Sequence, residues 1–363
     1  MIVKLAKIRG YDYLPPYNDI RTILAFDGDL IVEGSSALAL AEYFKMSKTI
    51  AGFIGGHVVQ QTLEAGYRAR LAVRREESIE TFKKVFSQHL EQLEFVVIED
   101  ITKERPFSDA LVGVDNVFHL ASPVPGKSTD FKEDYLNPTI KGTMSLLEAA
   151  QSVPSIKRVI IDSSMTSLMP LEIDDADSFE VKGPSAPTIV KYKASKLLAH
   201  RACLDWVEQQ STAGKLSFAV VSLHPSIVIG RHLLQPSPTV QGSSNAHVWD
   251  SLFAPEGLLH GIGVDVRDVA SAHLCALKPT DDELGIKGQV AEFLISAPDW
   301  TWRGIADFVK KSYPWLAVAL EDGPLLKLRT ERAETVLGIK WRPLEDAVGE
   351  LVDQQIECGN VKS

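Results

Sequence analysis

Strand-like and helix-like segments alternate along most of the chain, and this alternation constrains the fold more than any other feature. Apolar, β-branched segments predict strands at residues 68–73, 93–98, 115–120, 159–161 and 218–223. Helical patterns fall at residues 58–67, 140–150 and 188–209. Because strands that alternate with helices join as βαβ units, the sequence predicts an α/β fold whose parallel sheet is covered on both faces.

Residues 51–59 (AGFIGGHVV) contain the second half of a glycine-rich turn that leads into a helix. Gly52 and Gly55 are present, but Thr49 stands three residues before Gly52 and no apolar strand precedes it. In a complete turn, glycine lets the backbone approach a pyrophosphate, and the helix directs N–H groups at the phosphates. A GxxG pair alone often marks only close helix packing. The helix, strand and basic residue that follow favour a dinucleotide site.

The composition limits the classes of function. The 363 residues suffice for one large α/β domain, or for one domain with a smaller lobe. A net charge of −10 argues against a nucleic-acid surface, and no apolar stretch is long enough to cross a membrane. Three separated cysteines suggest free thiols in a reducing compartment. We therefore expect a cytoplasmic protein without nucleic-acid or membrane partners.

Tyr192 and Lys196 share one face of the predicted helix over residues 188–209, because they are four positions apart. A phenol titrates near pH ~10, and a neighbouring ammonium lowers that pKa towards values that suit proton transfer to a carbonyl oxygen. Such a pair on its own is more often a chance match on an amphipathic helix.

Two serines, Ser163 and Ser164, come after the predicted strand at residues 159–161, with Asp162 between the strand and the serines. A hydroxyl at the carboxyl end of a parallel strand lies where open α/β sheets bind ligands, so Ser164 could hydrogen-bond a substrate oxygen. Serines after a strand more often simply end it or cap a helix.

The histidines and tryptophans favour structural roles. His119 lies on an apolar strand, where a packed histidine is more frequent than a catalytic one. Other histidines show no metal-ligand spacing, so no metal site is predicted; they are His200, His224 and His247. Four tryptophans are expected in the core of the C-terminal part: Trp300, Trp302, Trp315 and Trp341.

Several motifs together resemble the extended short-chain dehydrogenase/reductases of the NAD-dependent epimerase/dehydratase family, in the branch of dihydroflavonol reductase and the fungal carbonyl and methylglyoxal reductases. The motifs lie at residues 52–55, 117–123 (VFHLASP), 137–143, 163–164, 192–196 and 264–273. The resemblance implies a Rossmann-type doubly wound parallel sheet with a smaller C-terminal substrate-binding lobe. It also implies an NADP-dependent oxidoreductase that acts on CH–OH groups and their carbonyl counterparts.

The resemblance assigns a role to each matching position. Ser164, Tyr192 and Lys196 would be the catalytic residues: the serine orients the substrate oxygen, the tyrosine protonates it, and the lysine assists the tyrosine and binds the nicotinamide ribose. Arg74 would contact the 2′-phosphate of NADP(H), a role that suits a guanidinium. The other cofactor contacts implied are Gly52, Phe53, Ile54, Gly55, Asp100, Ile101, Ala121, Ser122, Pro225 and Val228.

The chain departs from this family before Gly52. We hypothesise that about five residues, the end of the first strand and its glycine, are absent from the expected strand–turn–helix unit. Residues 1–45 would then be an atypical leader, residues 46–225 mainly the dinucleotide-binding domain, and residues 226–363 mainly the substrate lobe, with some segments returning to the first domain. The leader offers two replacement strands, at residues 21–26 and 30–32. Because Thr49 carries a Cβ where glycine is expected, we predict weak NADPH binding.

Three functions are compatible with these features. The first is NADPH-dependent reduction of a small aldehyde or ketone, or the reverse oxidation, by a monomer or homodimer. The second is a sugar-nucleotide epimerase or dehydratase, or a hydroxysteroid dehydrogenase, on the same fold. The third is a cofactor-impaired, non-catalytic homologue, which the incomplete turn favours and the intact Ser164, Tyr192 and Lys196 disfavour.

Overall fold

The computed structural model describes most of the chain after Gly52 and one strand before it. The described residues are 21–25, 52–103, 107–121, 131, 136–169, 188–235, 244–257, 263–286, 288–323 and 328–360, with the backbone alone for 21–25 and 188–190.

The strands form a seven-stranded parallel sheet, in the order β3-β2-β1-β4-β5-β6-β9, and a separate pair, β7-β8. Their bounds are β1 Arg21–Ala25, β2 Arg68–Val73, β3 Leu93–Val97, β4 Asn116–His119, β5 Arg158–Asp162, β6 Ala219–Pro225, β7 Ile227–Ile229, β8 Gly263–Asp265 and β9 Ala291–Ile295. This order, with strands added outwards on both sides of β1, is that of a doubly wound Rossmann-type sheet and confirms the predicted fold class.

Helices connect the strands and complete the C-terminal part. Their bounds are α1 Phe53–Glu64, α2 Glu77–Val85, α3 Asn137–Gln151, α4 Thr188–Thr212, α5 Ser244–Ser251, α6 Val266–Cys275, α7 Trp302–Ser312, α8 Glu331–Leu337 and α9 Leu344–Glu357. A 3-10 helix, Ser87–Gln92, precedes β3, and a 3-10 turn, Met165–Ser167, follows β5.

The first strand of the sheet comes from the predicted leader. Arg21 pairs with Arg68 of β2, and Thr22 pairs with Asn116 of β4, so β1 is hydrogen-bonded on both sides. Of the two replacement strands proposed from the sequence, the one at residues 21–26 is confirmed, whereas residues 30–32 lie outside the described part. β1 thus lies before residue 46 and still belongs to the central sheet, while the boundary at residue 46 stays a prediction.

Helices cover both faces of the sheet, as the alternating pattern predicts. On one face, α1 and α6 pack through buried residues such as Val59 and Val269. On the other face, α3 and α4 supply buried Leu147 and Val207. Consecutive strand residues point to opposite faces, so Ile160 lies in the first cluster and Val159 in the second. Both faces of the strands are therefore buried, which explains their continuous apolar runs.

A separate hydrophobic cluster forms the C-terminal lobe. It joins β7, α5, α7 and α9, and Trp300 and Trp302 are buried within it, each 4% exposed. Trp341 is partly buried against this cluster and the first one. The expectation for Trp315 is wrong: it is 43% exposed and makes an edge contact with Tyr313 in the segment after α7.

The glycine-rich segment is more helical than the sequence pattern indicates. The predicted helix begins at residue 58, but α1 begins at Phe53, and its first turn includes Gly55 and Gly56. The predicted end is confirmed, because Gly66 has φ of 86° directly after the helix and its N–H donates to the carbonyl of Leu63. Within the described residues, no helix has the length and apolar character needed to span a bilayer.

Removing residues 1–45, so that the chain starts at Met46, should abolish cooperative folding. Without β1, the strands β2 and β4 lose a shared partner, and the sheet is left with two unpaired edges at its centre. Circular dichroism during thermal melting would measure the effect, with a chain that lacks only residues 1–15 as the control. A cooperative transition of the Met46 chain at the control's temperature would show that β1 is dispensable.

Candidate active site

Several predicted site residues lie at one edge of the sheet. Because all seven strands run parallel, their carboxyl ends lie together, and four predicted segments follow strands there. Arg74 follows β2, Asp100 and Ile101 follow β3, Ala121 follows β4, and Ser164 follows β5. Sequential strands leave β1 in opposite directions, towards β2 and towards β4, so this edge contains the position where open α/β sheets bind ligands.

Ser164 is fixed by the turn that it begins. It is 9% exposed and extended, with φ of −160° and ψ of 150°, and it caps the 3-10 turn Met165–Ser167. Its Oγ accepts hydrogen bonds from the backbone N–H of Thr166 at 3.2 Å and from the Thr166 hydroxyl at 3.0 Å. These two donors leave the Ser164 hydroxyl proton available to a substrate oxygen.

Tyr192 and Lys196 lie on α4, and the 3-10 turn after β5 packs against this helix. Tyr192 is half-buried and Lys196 is 8% exposed. The Nζ atom of Lys196 lies 5.9 Å from the centroid of the Tyr192 ring, within the range of a cation–π contact. The predicted sharing of one helical face is thus confirmed, and the ammonium lies where its charge acts on the phenol.

Two buried titratable groups, Asp162 and His119, lie close enough to Lys196 to feel its charge, and a third, His273, lies beside Asp162. Burial raises the pKa of Asp162 to about 7, against the opposing effect of the Lys196 ammonium. Burial, aided by the same ammonium, lowers the pKa of His119 to about 3. Burial also lowers the pKa of His273 to about 4. His119 is 2% exposed and its ring contacts the Thr143 hydroxyl at 3.3 Å, which agrees with the packed role expected for it.

Asp162 faces an imidazole nitrogen. His273 Nδ1 lies 2.8 Å from the carbonyl of Val269, and because a carbonyl only accepts, Nδ1 carries the proton. The lone pair of neutral His273 is then on Nε2, which lies 3.7 Å from Asp162 Oδ1. Among the described residues, neither atom has a hydrogen-bond partner. This arrangement favours a protonated Asp162 carboxyl group.

The segment predicted to hold the pyrophosphate forms the N-terminus of α1. Gly52 is the N-cap, and its carbonyl accepts from the N–H of Gly56 at 3.1 Å. A Cβ at Gly52 would meet no atom within 4 Å among the described residues, so a phosphate has room to approach this backbone. Phe53 and Gly55 are buried, and the side chains of Phe53 and the half-buried Ile54 pack into the core. The first N–H groups and the positive end of the helix dipole suit a phosphate.

Arg74 and Asp100 lie close together at the ends of β2 and β3. Arg74 is exposed, and its guanidinium contributes to lowering the pKa of Asp100, after the larger effects of hydrogen bonds from Thr102. The backbone N–H of Thr102 donates to Asp100 Oδ1 at 2.8 Å. The carbonyl of Ile101 accepts from the Ser145 hydroxyl at 2.8 Å, which ties this segment to α3.

The remaining predicted contacts are buried backbone positions or lie outside the described residues. Ala121 is 7% exposed, Pro225 ends β6, and Val228 is 5% exposed in the middle of β7. Their side chains pack in the interior, so a cofactor would contact their backbone. Ser122 lies outside the described residues.

Sequence reasoning missed one group of side chains. His200, His224 and Glu292 come from α4, β6 and β9, and their potential ligand atoms lie within 4.8 Å of one another. Their distances along the chain give no metal-ligand spacing, so the sequence could not show that they meet. The sequence could have indicated Asp162 as a residue near the site, since it directly precedes the two serines. Its burial could not be predicted, because it depends on long-range packing.

A surface depression of about 450 Å³ lies elsewhere, along the last turns of α4. Its lining residues are Asp205, Glu208, Gln209, Thr212 and Ala213. None of the predicted site residues lines it, so it is not the candidate active site.

Solved structures share this architecture. Gre2 from Candida albicans, in complex with NADPH, superposes with a TM-score of 0.73 at 21% identity, covering 93% of this chain and 99% of that one. Vestitone reductase from alfalfa superposes with a TM-score of 0.68 at 20% identity, covering 94% and 99%. At these identities the likeness establishes the fold.

Curated proteins and one family model match the sequence itself. Ketoreductase sphI of Aspergillus fumigatus is 35% identical over 337 residues, which are 85% of this chain and 96% of that protein. The putative NADPH-dependent methylglyoxal reductase GRP2 of Candida albicans is 25% identical over 338 residues, 83% of this chain and 96% of that protein. The family model matches residues 50–286. The chain therefore belongs to the NAD-dependent epimerase/dehydratase family.

Proposed function

We propose that this chain reduces an aldehyde or ketone to an alcohol with NADPH, or catalyses the reverse oxidation. The observation that carries the proposal is that β5 and α4 bring Ser164, Tyr192 and Lys196 to the carboxyl edge of the sheet, where α1 also begins. The names of the ketoreductase and methylglyoxal reductase relatives support a carbonyl substrate. The NADPH bound by Gre2 supports the cofactor.

Each catalytic residue has a separate task in this proposal. Bound NADPH supplies the hydride. Ser164 donates a hydrogen bond to the carbonyl oxygen and orients it, and Tyr192 gives that oxygen its proton. Lys196 stabilises the phenolate that remains and binds the nicotinamide ribose. While Asp162 is protonated, it does not cancel the charge of Lys196.

The cofactor fits the residues at the edge of the sheet. The open space at Gly52 and the start of α1 suit the pyrophosphate. An exposed arginine after β2 suits the 2′-phosphate, whereas an acidic residue there would favour NAD. This supports NADP(H) as the cofactor. The small-molecule substrate, the monomeric or dimeric state and the cytoplasmic location stay predictions.

One observation favours the alternative of a cofactor-impaired homologue. Residues 26–52 separate β1 from α1, whereas the complete motif joins strand and helix through a tight turn. The reductase proposal predicts that the wild-type protein oxidises NADPH with a carbonyl substrate, whereas the cofactor-impaired alternative predicts that it does not.

Replacing Tyr192 with Phe should lower the rate of NADPH oxidation at least ~100-fold with carbonyl substrates, because the proton donor is lost. Absorbance at 340 nm would follow the reaction over a panel of aldehydes and ketones. Tyr313→Phe is the matched control, since it makes the same change at a hydroxyl that donates to Asp353 in the C-terminal lobe. A Tyr192→Phe enzyme with the control's activity would exclude the proposed proton transfer.

Shortening the connection between β1 and α1 should strengthen NADPH binding. In the variant, Thr-Gly-Ala-Ala replaces residues 26–51, which places a glycine three residues before Gly52 and restores the close approach of backbone to phosphate. We expect the Kd for NADPH, measured by isothermal titration, to fall at least ~10-fold. A control with Thr-Val-Ala-Ala has the same length without the glycine. Equal affinities of wild type and the glycine variant would show that the long connection does not impair binding.

Asp162 should make stability depend on pH. Its folded pKa of about 7 is above the unfolded value of 3.8, so its stabilising effect is complete below pH ~4 and is lost as pH rises through about 7. The free energy of unfolding of Asp162→Asn, relative to wild type, should therefore increase by about 1–3 kcal/mol between pH 5 and pH 8. Urea titrations at each pH would measure it, with Asp205→Asn on the exposed side of α4 as the control. A pH-independent difference would contradict a buried, protonated Asp162.

A further inference from the structure

A buried histidine connects the catalytic helix to the edge strand β9. His200 lies four residues after Lys196 on α4, so the two share a helical face. His200 Nε2 lies 2.7 Å from Glu292 Oε1, and the histidine side chain is only 6% exposed. Because a carboxylate only accepts, the imidazole donates this hydrogen bond. The position of α4 at this level is therefore fixed by a carboxylate of β9.

A second histidine connects the serine turn to the ring of His200 and packs beside the same carboxylate. His224 of β6 is fully buried, and its Nδ1 lies 2.9 Å from the Ser167 hydroxyl and 3.3 Å from the carbonyl of Ser164. The Ser167 hydroxyl donates to that carbonyl at 2.6 Å, so it accepts from His224, and Nδ1 carries the proton. The lone pair of the neutral ring is then on Nε2, which lies 3.5 Å from Glu292 Oε1 and has no hydrogen-bond partner among the described residues, so this approach is a packing contact.

The three side chains form one compact group. The rings of His200 and His224 meet edge to face, with centroids 4.8 Å apart and an interplanar angle of 84°. The hydrogen bond that His200 donates holds the pKa of Glu292 well below its usual range, so the carboxylate is ionised. One oxygen of Glu292 thus faces both the helix of Tyr192 and Lys196 and the turn of Ser164.

We propose that Glu292, His200 and His224 form a positioning bridge that sets the geometry between Ser164 and the Tyr192–Lys196 pair. The proposal rests on the carbonyl reductase function proposed above, and it assigns these three residues no contact with substrate or cofactor. Through His200 the bridge holds α4, and through His224 and Ser167 it holds the backbone of Ser164. Misplacement of reacting groups by about 1 Å can cost ~100-fold in rate, so such a bridge would act mainly on kcat.

The geometry favours a hydrogen-bonded bridge over a metal site. Two ligands of a tetrahedral zinc ion, each ~2.0–2.1 Å from the metal, lie roughly 3.3 Å apart. The 2.7 Å between His200 Nε2 and Glu292 Oε1 is instead the length of a charge-assisted hydrogen bond.

Substitutions at Glu292 test the bridge, because this side chain contacts both histidines. Glu292→Leu removes the acceptor, and Glu292→Gln keeps an amide oxygen that can accept from His200. Glu94→Leu is the matched control: Glu94 lies on the opposite edge strand β3, is ion-paired to Arg70 at 2.8 Å, and has a similarly exposed side chain, 33% against 37% for Glu292. For each variant, kcat, KM for the carbonyl, Kd for NADPH and the melting temperature would be measured.

We expect Glu292→Leu to lower kcat about 10–100-fold, with KM and the Kd for NADPH changed less than about threefold. Its melting temperature should fall no more than that of Glu94→Leu, and Glu292→Gln should recover most of kcat. A kcat of Glu292→Leu equal to that of Glu94→Leu would overturn the bridge. So would a loss of wild-type activity on chelation with EDTA that zinc restores, since the three residues would then bind a metal.

Wild type and Tyr192→Phe in the same assays separate this inference from the proposed function. Active wild type, inactive Tyr192→Phe and fully active Glu292→Leu would overturn the bridge alone. Wild type that oxidises no NADPH with any carbonyl would overturn the proposed function, and the bridge with it.

Discussion

Parallel hydrogen bonding of β1 to both β2 and β4 is the interaction on which the rest of the structure depends. It brings together two halves of the sheet that grow outwards in opposite directions, β2 and β3 on one side and β4 to β6 with β9 on the other. Among the described strands, backbone pairing joins the two halves only through β1, so the carboxyl ends that carry Arg74 and Ser164 share one edge because this strand is in place. The site is thus a consequence of sheet order more than of any local motif.

The site combines a buried charge with neutral neighbours. Lys196 lies in an interior where burial keeps His119 and His273 neutral and holds a proton on Asp162 up to about pH 7. An ammonium in such surroundings is screened less than one at the surface, so in the proposed mechanism it would attract a phenolate at Tyr192 more strongly. The carboxylate of Glu292, by contrast, is ionised and contacts histidines farther along α4 and on β6.

The sequence could predict features that depend mainly on residues close together in the chain. The strand at residues 68–73 coincides with β2, because a glycine ends the preceding helix and β-branched and apolar residues follow. The i, i+4 spacing placed Tyr192 and Lys196 together because that spacing is a property of every helix. The start of α1 was predicted five residues too late since glycines are poor helix formers, and tertiary packing overrides their propensity.

Contacts between residues that are distant in the chain could not be predicted from these sequence patterns. Nothing near Glu292 in the sequence indicates His200 and His224, because their contact depends on the pairing of β6 with β9 and on the position of α4. The sequence indicated β1 only as one of two alternative strands. It could not identify the neighbours of either strand, because a short apolar segment does not show which strands it pairs with. Trp315 was expected in the core for its size, but the segment after α7 leaves it 43% exposed.

The placement of β1 also affects how the chain reaches its native state. β1 pairs with β2 over a longer separation along the chain than a tight turn after β1 would leave, because residues 26–51 lie between them. The entropic cost of bringing two segments together grows by about 0.6 kcal/mol with each doubling of the chain between them, so this pairing is slower and less favourable. Until it is complete, β2 and β4 present open edges that can pair with another molecule. The strand that organises the active site is therefore also the point at which folding competes with aggregation.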